Sequence, residues 1–389
     1  MTLVERTTEK PQLVERDDES DVYPDDRRWV VDCVQRIRGD LAPVATELTE
    51  IPLPPRLNGL RLYVKREADQ PSGSHKHRLA AALLVHALVS GWLTRGRPVV
   101  EASSGSTAIS EAWYCQRLGI PFYAVVPDNT SREKKAAIAE LGGTVVPVSG
   151  DIVAYARRVA NRYGGHFLDQ FTYAERAYDW RGDEGLGPEL LRAVPDLDWF
   201  VMGAGTGGTA ASVARHARYT GSDLRVCVPD PEHSAYFDGW YWRDPAITDR
   251  GSHIEGIGRP RVEASFVPST VNRMMRVHDA ASVATMRVLH ERREWGISPG
   301  PSTGTGVFAA IRVLLGMRDQ EQSGSVATVL CDAADRYTNE YYNDQWLADQ
   351  GIDYQPWLPT IRNFFATGDW TPPEPFLPVP RPLVTLWNM

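Results

Sequence analysis

Between Arg61 and Cys331 the chain alternates short apolar runs with segments of helical period, and this rhythm constrains the fold more than any other feature. Residues 61–65, 98–100, 122–126, 145–148, 199–202, 224–228 and 328–331 read as strands. Amphipathic stretches lie between them. In 151–163, for example, Ile152, Ala156, Val159 and Tyr163 share one face. Strands separated by helical crossovers pair in parallel, so the pattern predicts repeated βαβ units. The expected fold class is α/β with mostly parallel sheet. Upstream, Asp25-Asp26 is expected to cap a helix whose Trp29, Val30, Cys33, Val34 and Ile37 lie together, and Thr130 or Ser131 caps another. No internal repeat is visible.

The flanks and the charge balance exclude several functions. Residues 1–24 are polar and acidic, including Glu15-Arg16-Asp17-Asp18-Glu19, and are expected to form a mobile arm. After Tyr341 the chain becomes rich in Trp and Pro. Its run Thr371-Pro372-Pro373-Glu374-Pro375-Phe376-Leu377-Pro378-Val379-Pro380 excludes regular helix and central strand. A net charge of -8 argues against a nucleic-acid footprint. No apolar run approaches a membrane span, and the charged start lacks the apolar core of a secretory signal. The four cysteines (Cys33, Cys115, Cys227, Cys331) are far apart, and no His/Cys/Asp/Glu cluster has metal-ligand spacing. Buried thiols in a reduced, cytoplasmic protein are the expectation.

The chemistry is concentrated in turns that open helices. Gln70-Pro71-Ser72-Gly73-Ser74-His75-Lys76-His77-Arg78 places Lys76 where a helix begins. The positive end of the helix dipole disfavours a charged amine, and a neutral amine is what Schiff-base chemistry needs. His75 and His77 read as bystanders. Glu101-Ala102-Ser103-Ser104-Gly105-Ser106-Thr107-Ala108 offers four hydroxyls and free N–H groups at a helix start, more than one N-cap requires, and so suits a carboxylate. Gly203-Ala204-Gly205-Thr206-Gly207-Gly208-Thr209 lets backbone N–H groups wrap a phosphate. Its Gly203-x-Gly205-x-x-Gly208 spacing, with Asp230 further on, also satisfies a dinucleotide fingerprint, so an NAD-dependent oxidoreductase competes. Pro299-Gly300-Pro301-Ser302-Thr303-Gly304 opens a further helix.

In this order, the four stretches resemble the fold type II pyridoxal-phosphate (PLP) enzymes, the cysteine synthase and cystathionine β-synthase family. The likeness runs from about Leu41 to Tyr342. It implies a two-lobed, tryptophan synthase β-like architecture, with helices on both faces of the sheets and the cofactor in the cleft. It makes Lys76, within Ser74-x-Lys76-x-Arg78, the Schiff-base lysine. It assigns Ser103, Ser104, Gly105, Ser106 and Thr107, helped by Gln170, to the substrate carboxylate loop. Gly205, Thr206, Gly207, Gly208 and Thr209 become the phosphate cup, and Ser302 the hydroxyl facing the pyridine nitrogen. Ile254-Glu255-Gly256-Ile257-Gly258 matches a mobile loop over the mouth.

Among family members, the passages 101–108, 230–237, 255–260 and 331–346 look most like the bacterial L-cysteine desulfhydrases. Ser106 departs from the cysteine synthases, which carry an asparagine touching the cofactor's 3′ oxygen; a serine hydroxyl makes Ser106 a cofactor contact directly or through water. Ala333-Ala334 and Gly306 are also departures. By resemblance, residues 25–69 and 176–345 form the large lobe, 70–175 the small lobe and 346–389 an extension, in a homodimer. The implied reaction is β-elimination on a small L-amino acid, cysteine giving sulfide, pyruvate and ammonia through an aminoacrylate. β-Replacement, making cysteine or another β-substituted alanine, is the alternative. Ser302 in place of a carboxylate makes the cofactor a weaker electron sink, which disfavours transamination.

Overall fold

The computed structural model describes residues 24–373. Residues 1–23, where the acidic arm was expected, and 374–389 lie outside the described residues. Ten strands are described: β1 (Leu48–Ile51), β2 (Leu60–Lys65), β3 (Val99–Ala102), β4 (Phe122–Pro127), β5 (Thr144–Val148), β6 (His166–Phe167), β7 (Trp199–Val201), β8 (Arg225–Pro231), β9 (Arg273–Val277) and β10 (Gly324–Val329). They form a six-stranded sheet in the order β1-β2-β10-β7-β8-β9 and a four-stranded sheet in the order β5-β4-β3-β6. β1 and β2 are antiparallel. Every other pairing is parallel.

The central strands of each sheet are buried on both faces, which explains why they read as continuous apolar runs. In the larger sheet Leu62, Val64, Val201 and Val326 face the helices Asp279–Glu291 and Pro301–Asp319. Tyr63, Phe200, Val226, Val228 and Ala327 point the opposite way, toward Leu186–Ala193 and Gly208–Thr220. The smaller sheet repeats the arrangement. Val99, Ala124 and Val126 pack on Lys76–Val89 and Ser106–Leu118, while Val100, Ala102 and Val125 pack on Ile152–Tyr163. The period-two alternation of strand side chains thus supplies four separate apolar layers.

Several boundaries differ from expectation for local reasons. The first helix begins at Pro24, ahead of the Asp25-Asp26 pair. β3 continues through Glu101 to Ala102 because Glu101 is accepted into the interior. Cys331 lies just beyond β10 rather than within it. Ser131, not Thr130, caps the next helix by accepting from Lys134 N at 3.3 Å. Beyond Tyr341, Asp344–Asp349 and Leu358–Thr367 are helical, and Trp357 is fully buried beside Phe308. Thr371–Pro373 have no helix or strand.

Parallel strands release their chains at a common edge, which is where α/β proteins place their sites. Here β2 leads into the lysine loop, β3 into the hydroxyl loop, β7 into the glycine turn and β10 into Cys331-Asp332.

Candidate active site

Those four exits converge on a cleft of about 680 Å³. Its lining includes Lys76, Ser103, Ser104, Gly105, Ser106 and Thr107. Gln170, Gly205, Thr206 and Ser302 complete the group of expected residues that meet there. Gly207, Gly208 and Thr209 continue the same turn but are not part of the cleft lining; Thr209 opens instead to a neighbouring cavity of about 820 Å³. Among the described residues no group of His, Cys, Asp and Glu is arranged to hold a metal. All four cysteines are free and buried.

Lys76 is the first residue of the helix Lys76–Val89. Burial pulls its amine below the ordinary lysine value, more strongly than Cys331 and Asp332 push it up. Burial thus shifts the balance toward the neutral, nucleophilic form relative to an exposed lysine. His75 is no bystander. Its Nε2 lies 2.6 Å from Lys76 Nζ, and its Nδ1 lies 3.3 Å from the Cys331 carbonyl. His77 is a structural residue, held by Ser72 Oγ at 3.0 Å and the Tyr114 hydroxyl at 2.9 Å. Arg78 turns away from the cleft into a buried ionic cluster with Glu67, Glu189 and Lys65.

The hydroxyl loop is free of the duty that would have explained it away. Gly105 is the N-cap of Ser106–Leu118, and no side chain caps that helix. Thr107 Oγ1 donates to Gln170 Oε1 at 2.9 Å, joining two of the expected carboxylate-binding residues. Ser103 Oγ accepts from Gly105 N at 3.3 Å, which tightens the turn. Behind the loop, Glu101 accepts from Ala102 N at 2.7 Å and from Gln170 N at 3.3 Å. Glu111 is also fully buried, and burial with its neighbour's charge holds its carboxyl well above the usual range. Glu101 is likewise pushed up to about 8, mainly by burial.

The glycine turn is shaped by steric necessity. A Cβ on Gly205 would stand 2.3 Å from the Gly256 carbonyl oxygen, so only glycine fits beneath the loop of residues 254–258. Gly207 has φ +81° and opens the helix Gly208–Thr220. Carbonyls of this turn are tied back, Gly205 O by the Tyr236 hydroxyl at 2.6 Å and Thr206 O by Ser265 Oγ at 2.6 Å. With the carbonyls engaged, the turn presents its N–H edge and the positive end of a thirteen-residue helix, the requirements of a phosphate cradle. Asp230 does not serve a dinucleotide. It is fully buried, and its Oδ2 accepts from Phe237 N at 2.7 Å.

Ser302 sits in the first turn of Pro301–Asp319, whose N-cap is Gly300. The hydroxyls beside it are committed elsewhere, Thr303 to Cys331 N at 3.0 Å and Thr305 to Ser282 at 2.8 Å. Ser106 is engaged as well. Its Oγ donates to Asp332 Oδ2 at 3.1 Å and accepts from Arg336 at 2.8 Å, while Tyr337 donates to the same carboxylate oxygen at 2.8 Å. Asp332, Arg336 and Tyr337 were assigned no role from sequence, because no local spacing links 332–337 to the lysine and hydroxyl loops. At the mouth, Lys134 joins Glu255 and Glu340 at 2.6 and 2.9 Å.

A family model described as "Pyridoxal-phosphate dependent enzyme" matches residues 40–332. The chain belongs to this family of PLP-dependent enzymes. It is 43% identical over 357 residues to L-cysteine desulfhydrase Cds1 of Mycobacterium tuberculosis, covering 89% of this chain and 96% of that protein. It is 30% identical over 289 residues to cysteine synthase B of Escherichia coli, covering 72% of this chain and 87% of that one. The crystal structure of O-ureido-L-serine synthase superposes with a TM-score of 0.67 at 25% identity, over 82% of this chain and 98% of that one. The fold type II architecture expected from the motifs is therefore the fold of this chain. Lys76, the hydroxyl loop and the glycine turn all lie within the matched region.

Proposed function

We propose that the protein is an L-cysteine desulfhydrase, converting cysteine and water to sulfide, pyruvate and ammonia by β-elimination. The observation that carries this is the convergence on one cleft of a lysine whose amine burial holds below its ordinary value, an uncapped hydroxyl loop and a glycine turn. Lys76 would hold PLP covalently, the turn of Gly205, Thr206, Gly207, Gly208 and Thr209 would hold its phosphate, and Ser302 would face its pyridine nitrogen. The cofactor, once bound, supplies the electron sink that makes the substrate α-proton acidic.

This chain's residues do the rest. Ser103, Ser104, Gly105 and Thr107, with Gln170, bind the substrate carboxylate and fix the α-carbon beside Lys76. Once displaced by the substrate amine, Lys76 takes the α-proton as general base. The β-sulfur leaves as the Cα–H electron pair moves toward Cβ, so sulfide departs without any oxidant. The bridge of Lys134 with Glu255 and Glu340 ties the loop 254–258 to the small-sheet side and limits entry of water. Ser106, held by Asp332 and Arg336, would border the cofactor where cysteine synthases place an asparagine.

Residues 25–69 with 176–345, and 70–175, are proposed as the large and small lobes, and 346–389 as an extension. A homodimer in the cytoplasm is part of the same reading; four free, buried thiols suit a reducing compartment. No helix among the described residues is long and apolar enough to cross a membrane. The alternative is β-replacement, favoured by the likeness to cysteine synthase B.

A visible spectrum of the purified protein, before and after L-cysteine, with sulfide and pyruvate assayed together, decides between them. A cofactor band with equal sulfide and pyruvate supports the desulfhydrase. A band that responds to serine or an acylated serine and consumes an added nucleophile makes the protein a synthase. No band after PLP is supplied overturns both.

A further inference from the structure

The contact between His75 and Lys76 carries more than proximity. A carbonyl oxygen only accepts, so the Nδ1 that faces Cys331 O at 3.3 Å bears the imidazole proton. The other nitrogen, Nε2, is then a bare acceptor, and it is the one 2.6 Å from Lys76 Nζ. The ring cannot drift from this pose. It is only 6% exposed, and the His75 backbone N–H also donates to Cys331 O at 2.9 Å. An adjacent bridge pairs Ser74 with Asp332.

We propose that His75 is a positioning residue for Lys76: its Nε2 accepts a hydrogen from the lysine amine whenever that amine is not bonded to the cofactor, aiming the lone pair and strengthening the base that removes the substrate α-proton. This rests on the reading of Lys76 as the cofactor-bearing lysine and base.

The direction of the effect follows from the groups around the pair. Burial, the Lys76 charge and Arg336 hold the imidazole well below its ordinary value, so it stays neutral and does not take the proton itself. Cys331 is pushed up to about 12 and supplies no thiolate. Cys331 and Asp332 push the Lys76 amine toward its charged form, but burial outweighs them and also raises the value of Asp332 itself. An N–H donated to Nε2 is a stronger bond when the donor is an ammonium than when it is an amine. His75 therefore raises the basicity of Lys76 against the burial that lowers it. The proton passes from the substrate α-carbon to Nζ, and the resulting ammonium is held by Nε2.

The test uses His75→Leu, His75→Gln and His75→Asn in the full chain. Glutamine carries an acceptor at the reach of Nε2, whereas asparagine ends near Nδ1 and falls short of Lys76. The first readout is the rate at which cofactor-free protein captures PLP as a function of pH, with borohydride reduction locating the attached pyridoxyl group. The midpoint should fall by about one pH unit in the leucine variant, a tenfold change in the ammonium-to-amine ratio, and return with glutamine. The second is exchange of the substrate α-proton in deuterated water by the loaded enzyme, which should slow on the order of tenfold with leucine and recover with glutamine. A leucine variant of native melting temperature with the wild-type midpoint and exchange rate overturns the proposal. Should leucine not fold, glutamine and asparagine decide, and equal behaviour of those two overturns it. Wild-type protein that takes up no PLP at Lys76 would overturn the functional reading itself, a result separable from any difference among the His75 variants.

Discussion

Lys134 Nζ lies 2.6 Å from Glu255 Oε2, and this contact ties the helix Arg132–Glu140 to a loop carried by the larger sheet. Glu340 joins the same amine at 2.9 Å. Glu255 Oε1 is in turn close enough to Gly105 that a Cβ there would stand 3.1 Å from it. The mouth of the cleft is thus held by one cation shared between two carboxylates. Lys134→Ala leaves those carboxylates facing each other. Amide exchange across residues 254–258 should then quicken, and KM for cysteine should rise roughly fivefold, the worth of about 1 kcal/mol in a pair whose side chains are only 19% and 26% exposed. Hydrogen-exchange mass spectrometry with steady-state kinetics checks this, and unchanged exchange in the loop would sink it.

Gly205 should tolerate no side chain. Its Cβ would lie 2.3 Å from backbone at Gly256, so relief requires the loop or the turn to move. Gly205→Ala should weaken PLP binding by on the order of ten- to a hundredfold, matching the ~1–3 kcal/mol of overpacking. Fluorescence titration of cofactor-free protein measures it. Gly316→Ala is the control: its Cβ meets nothing within 4 Å, and it lies inside the helix Pro301–Asp319. That change should stabilise the fold by about 0.5–1 kcal/mol and leave cofactor affinity alone.

The buried Glu101 and Glu111 give stability a pH dependence. Glu101 is raised in the folded state from 4.5 to about 8 by burial foremost, with no cation to offset it. The native protein therefore keeps a proton that the unfolded chain releases. Stability from this source is complete below the ordinary carboxyl value and declines as pH rises through about 8. Glu111→Gln removes the second buried carboxyl at nearly constant volume and should flatten that decline. Melting temperatures across this window would show it, and an identical slope in the variant would refute the assignment.

Arg78 bridges Glu67 and Glu189, at 2.7 and 2.8 Å, with all three side chains at most 9% exposed. Lys65 reaches Glu189 at 2.6 Å. Arg78→Ala strands one buried carboxylate and leaves the other with lysine alone, at a cost of roughly 3–5 kcal/mol. Urea unfolding should show a loss of free energy of that size, read as a lower midpoint at unchanged slope. A shift near zero would mean that the cluster is solvated and the ion pairs carry little.

The sequence shows some of this architecture plainly and hides the rest. β4 and β7 were legible because strands buried on both faces leave an uninterrupted apolar run, and β5, though an edge strand, was legible through its β-branched Val145, Val146 and Val148. β1 and β9 were not, since they are edge strands whose Thr49, Glu50, Arg273 and Arg276 dilute the pattern. The lysine, hydroxyl and glycine turns could be found because each compresses its chemistry into a few consecutive residues after a strand. Asp332, Arg336, Lys134 and Glu340 act across the cleft, and nothing in their own neighbourhoods records the partner. The tautomer of His75 is set by Cys331, a residue near the far end of the matched region, so a local reading of the lysine loop had no access to it.

β2 finds its parallel neighbour in β10, and Ser74 bridges Asp332, so the loop bearing Lys76 is completed by chain made some two hundred and sixty residues later. A protein emerging from the ribosome therefore carries its reactive lysine long before it has anywhere to put it. Such distant pairing is slow to form, because the loop it closes must be ordered before any contact rewards it. The contacts that Cys331 and Asp332 make to the lysine loop are available only once the chain through Asp332 has been made. Truncations upstream of Gly324 should yield polypeptides that contain the lysine, the hydroxyls and the glycines, yet stay colourless.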